Sequence, residues 1–121
     1  MALTCRKGPP NGLIFISDLS DPPGPPFEPN VTIFATAQSI AVICMIWVDG
    51  ETEIILGSTS DVGKAAAPDF DHALETPNLG VLVSTVEGER LLEAPVPERL
   101  TRVRIWLNRP WQPDEVVIGL G

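Results

Sequence analysis

Residues 39–57 read SIAVICMIWVDGETEIILG, and this stretch decides the fold class. Positions 40–48 are apolar on both parities, which predicts a central strand covered on both faces. The segment that follows Gly50 alternates instead. Thr52, Ile54 and Leu56 fall on one side, and Glu51, Glu53 and Ile55 on the other, as in a strand with one buried face. Asp49-Gly50 lies between the two runs. An Asp-Gly pair tolerates the positive φ of a type I′ turn, so the sequence predicts a hairpin there.

The same texture extends outward in both directions. Thirteen prolines and ten glycines punctuate short β-branched runs, the pattern of strands joined by turns. Runs at 13–19 and 31–37 precede the deciding stretch. Runs at 79–86, 89–94, 101–108 and 115–120 follow it, with a turn at Glu87-Gly88. SDPPGPPFEP, at 20–29, cannot join a central ladder, because proline has no N–H to donate. Residues 58–78 are the least strand-like. A short helix is expected there, in DVGKAAA or PDFDHALE, with Pro68 or Asp69 near its start. The N-terminal residues around Cys5 read as a fraying end. The expectation is one all-β domain over residues 1–121: a two-sheet antiparallel sandwich of about eight strands with at most one short helix. Its core should hold Ile33, Val42, Cys44, Ile46, Ile54, Val81, Val83, Val103, Ile105 and Ile118.

Composition narrows the class of function. The 121 residues are 44% hydrophobic and carry a net charge of −8, which describes a folded chain that repels phosphate backbones. Between Pro10 and Glu89 there are twelve acidic side chains and one basic one, Lys64. A membrane helix over 31–48 is disfavoured by Thr32, Thr36, Gln38 and Ser39. No apolar segment follows the basic residues at the N-terminus, and the two cysteines have no metal or disulfide spacing. A cytoplasmic location is therefore expected.

Chemistry-bearing clusters are few. Asp69, Asp71, the sole histidine His72, and Glu75 resemble an acidic loop able to hold a divalent cation. No known ligand spacing is matched, however, and carboxylates capping a short helix explain the group as well. No metal or cofactor is therefore assigned. No serine sits in a nucleophile elbow, and Cys44 reads as a buried hydrophobe. Two carboxylates suffice for glycoside hydrolysis, so composition alone leaves that chemistry open. Trp47, Trp106 and Trp111 are the candidates for a sugar-stacking platform. Along 101–108, Arg102, Arg104 and Trp106 share one strand face opposite Val103, Ile105 and Leu107. Either they form a recognition stripe, or the arginines pair with cross-strand acids such as Glu51, Glu53 or Glu89. Trp111 lies in RPWQPDE, flanked by prolines, at a loop.

The order of segments carries a resemblance. LIFISD at the front, SIAVICMIWVDG in the middle, the extended run at 77–83, VEGERLLEAPVP, TRVRIWLN and PDEVVIGL together resemble the small β-sandwich competence-type nuclease inhibitors and related bacterial immunity proteins. The resemblance implies an acidic cytoplasmic protein that blocks a nuclease or toxin, and it transfers no catalytic residue.

The expected function is thus a non-catalytic acidic protein-binding module, monomeric or homodimeric, with a basic enzyme or toxin as partner and with neither nucleic acid nor membrane. Its acidic face is assigned to Asp49, Glu51, Glu53, Asp69 and Asp71. A rival face is assigned to Arg102, Arg104, Trp106 and Trp111. The alternative is a small ligand- or carbohydrate-binding sandwich, or a small enzyme using the acidic residues 69–75.

Overall fold

Alternating apolar residues from two sheets meet in one core. The computed structural model describes residues 2–9, 12–45 and 47–121, with the Trp47 side chain outside that description. Ten strands are found among these residues: β1 (Leu3–Lys7), β2 (Leu13–Asp18), β3 (Ile33–Ala35), β4 (Ser39–Ile43), β5 (Thr52–Ser58), β6 (Phe70–Glu75), β7 (Gly80–Thr85), β8 (Arg90–Pro95), β9 (Leu100–Leu107) and β10 (Glu115–Leu120). One sheet has the order β1-β5-β10-β9-β6 and the other β3-β4-β2-β7-β8. Every pairing is antiparallel except that of β5 with β10. The protein is an all-β sandwich with one short helix, α1 (Thr59–Val62).

The predicted core largely forms. Val42, Ile54, Val81, Val83, Val103, Ile105 and Ile118 are fully buried, with Cys44 beside them. Ile33 is only partly buried because β3 is an edge strand. Ile46 lies outside the described residues. β4 is covered on both faces, as its sequence requires: Ile40, Ala41 and Val42 are all fully buried.

Three expectations are corrected. Asp49-Gly50 does not close a hairpin. Gly50 has φ +135°, whereas Asp49 is not among the positive-φ residues. A short 3-10 turn, Trp47–Asp49, carries the chain from one sheet to the other. The reason is tertiary: β5 is paired on both sides, by β1 and by β10, and has no edge left for β4. The crossing satisfies its backbone on other loops instead, with Cys44 N donating to Gly12 O (2.6 Å) and Met45 N to Pro113 O (3.0 Å).

The second correction concerns PDFDHALE, in which Phe70–Glu75 forms edge strand β6 rather than a helix and pairs with β9. Helix is confined to one turn at 59–62, N-capped by Ser58 Oγ, which accepts from Asp61 N (3.3 Å). The third concerns the N-terminus. Leu3–Lys7 is ordered as a strand on β5, and Lys7 reaches Glu89 of the opposite sheet's β7–β8 turn at 2.7 Å.

Two non-strand segments cover the outer faces. The proline-rich segment lies against the β2–β4 sheet. Ser39 Oγ donates to Pro23 O (3.0 Å), Phe27 meets Phe34 edge-on at 5.7 Å, and a Cβ at Gly24 would stand 2.7 Å from the Phe15 ring. On the other sheet α1 sits over Gly119, where a Cβ would come within 2.8 Å of Thr59 Oγ1 and 3.1 Å of Trp106. Glycine is needed at both places for the covering segment to approach.

At the end of β2 the buried Asp18 carboxylate organises a junction. It accepts from Ser20 N (2.9 Å), Asn78 N (2.9 Å) and Asn78 Nδ2 (2.6 Å). Burial alone raises its pKa, but these donors outweigh that and bring it from the ordinary 3.8 down to about 2. A depressed carboxylate stabilises the fold above its unfolded pKa, and that contribution disappears as pH falls through the folded one. Asp18→Asn should therefore cost stability at pH 7, with a penalty that shrinks as pH drops from about 4 to about 2. Urea midpoints across that range check this; a penalty independent of pH contradicts it.

Candidate protein-binding surface

The residues assigned to two rival faces are sorted differently by the fold. Arg102 and Arg104 project from the outer face of β9. Their partner is Asp71 on β6, not the acids expected from sequence. Arg102 Nε and Nη2 donate to Asp71 Oδ1 and Oδ2 at 2.7 and 3.0 Å, and Arg104 Nε lies 3.6 Å from the same carboxylate. The hydrogen bonds from Arg102 hold the Asp71 carboxyl below the usual carboxylate range, and Asp71 in turn raises Arg102. Register explains the grouping, since Asp71 stands opposite Arg104 and Ala73 opposite Arg102. One presumed acidic-face residue is thus paired with both arginines of the presumed basic face.

Trp106 is likewise removed from the surface. It is 6% exposed, its Nε1 donates to Ala66 O (2.9 Å), and the 59–66 segment covers it. It therefore does not present an indole beside the two arginines, which corrects the expected stripe. Trp111, in contrast, is 57% exposed.

Of the remaining acids, Glu53 pairs with Arg6 across β1–β5 at 3.7 Å. Its parallel neighbour Glu115 pairs with Lys64 at 3.1 Å. Each like-charged neighbour on that face is thus separately compensated. Asp49 and Glu51 are exposed and have no cationic partner among the described residues. Asp69 accepts from Leu107 N through Oδ2 (2.7 Å), and its own N–H donates to Ile105 O (2.8 Å).

Backbone hydrogen bonds bring these unpaired groups to one end of the sandwich. The crossing that carries Asp49 and Glu51 is tied to the Trp111 loop by Met45 N to Pro113 O (3.0 Å) and Glu53 N to Asp114 O (2.8 Å). The segment before β3 joins them, with Thr32 Oγ1 donating to Pro110 O and Ile43 N to Thr32 O (2.8 Å). Between that segment, Asp69 and the Trp111 loop lies an open cleft of about 310 Å³. Val48, on the crossing, is 64% exposed. The end therefore combines exposed apolar side chains with unpaired carboxylates, a juxtaposition that sequence reasoning divided between two faces.

The acidic segment 69–75 gathers no metal site. As a strand it sends successive side chains to opposite sides, and His72 Nε2 hydrogen-bonds Thr36 O (2.7 Å). Among the described residues no group of three or more His, Cys, Asp and Glu side chains converges. Both cysteines are free thiols. Burial pushes Cys44 up to about 12, and burial followed by the nearby Glu89 raises Cys5, so neither is tuned as a nucleophile. Among the described residues no helix is long and apolar enough to cross a membrane.

The contrast between the two tryptophans is measurable. Trp106→Ala should destabilise by about 3–5 kcal/mol. Trp111→Ala should cost under about 1 kcal/mol. Equal losses in urea denaturation contradict the assignment.

Two solved structures share this architecture. ComJ from Bacillus subtilis, an inhibitor of the DNA-degrading activity of NucA, superposes with a TM-score of 0.72 at 10% identity, covering 98% of this chain and 93% of that one. Crocagin biosynthetic gene J superposes with a TM-score of 0.55 at 12% identity, covering 99% and 96%. No family model matches the chain, and none of the curated proteins matches it significantly. At these identities the likeness establishes a common fold, and at that level the chain resembles a competence-type nuclease inhibitor.

Proposed function

We propose that this chain is a non-catalytic acidic inhibitor or immunity protein that binds a basic enzyme, a nuclease or a toxin. The observation that carries the reading is the nearly full-length fold match to ComJ, itself an inhibitor of a DNA-degrading activity. The charge distribution supports it. Net charge is −8, and the acids without a cationic partner among the described residues include Asp49 and Glu51 at the end that also exposes Val48 and Trp111. Such an end attracts a basic surface at long range and offers apolar contact at short range. A chain of this charge disfavours nucleic acid and anionic membrane. It acts in the cytoplasm, as a monomer or homodimer.

The rival assignment to Arg102, Arg104 and Trp106 has less support, because the arginines are occupied by Asp71 and the indole is covered. The alternative of a ligand site or small enzyme built on the acidic residues 69–75 has less support, because residues 70–75 form an edge strand whose side chains alternate between its two faces.

The test is kinetic. The partner is captured from the native host, identified and purified, and its binding followed at rising ionic strength. The association rate should fall with salt. Asp49→Lys combined with Glu51→Lys should slow association about tenfold while circular dichroism stays unchanged. A partner whose association is indifferent to both salt and the reversals, but is lost in Arg102→Ala with Arg104→Ala, contradicts the proposal.

A further inference from the structure

We infer that the cleft beside Trp111 receives an arginine side chain of the partner, an assignment that rests on the protein-binding reading above. The cleft holds about 310 Å³ and has Val31, Phe70, Leu107 and Trp111 among its walls. Among the described residues Asp69 is the only ionisable one lining it. That chemistry suits a long side chain with an apolar stem and a cationic planar head.

Asp69 and the loop that carries Trp111 are both held in place before any ligand arrives. Asp69 is bound on two sides by β9: its N–H donates to Ile105 O (2.8 Å), and its Oδ2 accepts from Leu107 N (2.7 Å). Among the described residues no cation pairs with this carboxylate. Trp111 rides on a loop fixed by Pro110 and Pro113. Asn108 Oδ1 accepts from Asp114 N and Glu115 N, each at 3.2 Å, and Arg109 Nε donates to Gln112 O at 2.9 Å. Arg109, the cation of that loop, also contacts Met45 Sδ through Nη2 at 3.6 Å. An exposed indole on a braced loop loses little backbone entropy on binding, and tryptophan is enriched among interface anchors.

The alternatives fit less well. A carboxylate or phosphate is repelled by Asp69. An apolar side chain desolvates Asp69 without pairing it, which is costly. A lysine ammonium satisfies Asp69 as a point charge. Arginine does that and also stacks its plane on the indole, combining charge-assisted hydrogen bonding with cation–π attraction.

The experiment titrates acetyl-Gly-Arg-Gly-amide into the full chain labelled with nitrogen-15. Its citrulline counterpart, which has the same shape but no charge, is the control. The Trp111 indole resonance, identified with Trp111→Phe, and the Leu107 amide should shift saturably at millimolar arginine peptide. Citrulline peptide should bind at least about tenfold more weakly. Asp69→Asn, which keeps the acceptor for Leu107 N, should abolish the preference. Equal shifts with both peptides, or shifts that miss these two resonances, overturn the assignment. The two readings can fail separately. A captured partner with salt-steered association whose dissociation rate is unchanged by Trp111→Ala and Asp69→Asn removes the cleft and leaves the protein-binding reading. Arginine-selective seating without any basic protein partner leaves the cleft and removes that reading.

Discussion

The insertion of β10 between β5 and β9 is the constraint on which the rest of the structure depends. It supplies the one parallel pairing among the described residues and fills the middle of its sheet with Val116, Ile118 and Leu120. Because β10 and β1 occupy both edges of β5, β4 is forced into the other sheet, and the connection between β4 and β5 becomes a crossing rather than a hairpin. The parallel register places Glu115 beside Glu53. The residues just before β10 then meet the crossing, and Pro113 and Asp114 carbonyls accept from Met45 and Glu53. The crossing that carries Asp49 and Glu51 is thereby tied to the loop that carries Trp111.

Charge pairing then decides which part of the surface remains unsatisfied. On the outer face of the β10 sheet, Asp71 takes two arginines, and Glu53 and Glu115 take Arg6 and Lys64. These exposed pairs contribute little stability individually. Their effect is to offset most of the charge on that face, while α1 and the residues after it cover Trp106. Excess negative charge is left elsewhere, and at the crossing it coincides with exposed apolar side chains.

Much of the fold was legible in the sequence because period-2 patterning survives wherever one face is buried. Ile54, Val103 and Ile105 lie fully buried on their expected parity, and Val81, Val83 and Ile118 are buried in strands covered on both faces. Local signals failed where long-range pairing decided the outcome. Asp49-Gly50 is a strong local turn pair, yet β5 finds its partners in segments about fifty residues before and sixty residues after it. LTCRK carries two charges in five positions and shows no alternation of its own, so only its pairing with β5 reveals a strand. FDHALE satisfies helix and strand templates almost equally, since His72 and Ala73 discriminate neither. That ambiguity propagated to the site: without β6, Asp71 could not be recognised as the partner of Arg102 and Arg104. Separating Trp106 from Trp111 needed the covering segment, which has no signature in the pattern.

The claim that the loop end is the contact surface is tested most directly by hydrogen–deuterium exchange on the complex with the captured partner. Loop amides are the least protected in the free chain, so an interface there produces the largest change on binding. The account predicts new protection in the β4–β5 crossing, the residues before β3 and the 108–114 loop, with the outer face of β6 and β9 unchanged. Protection concentrated on β6 and β9, around Asp71, Arg102 and Arg104, with the three loop segments exchanging as in the free protein, would contradict it.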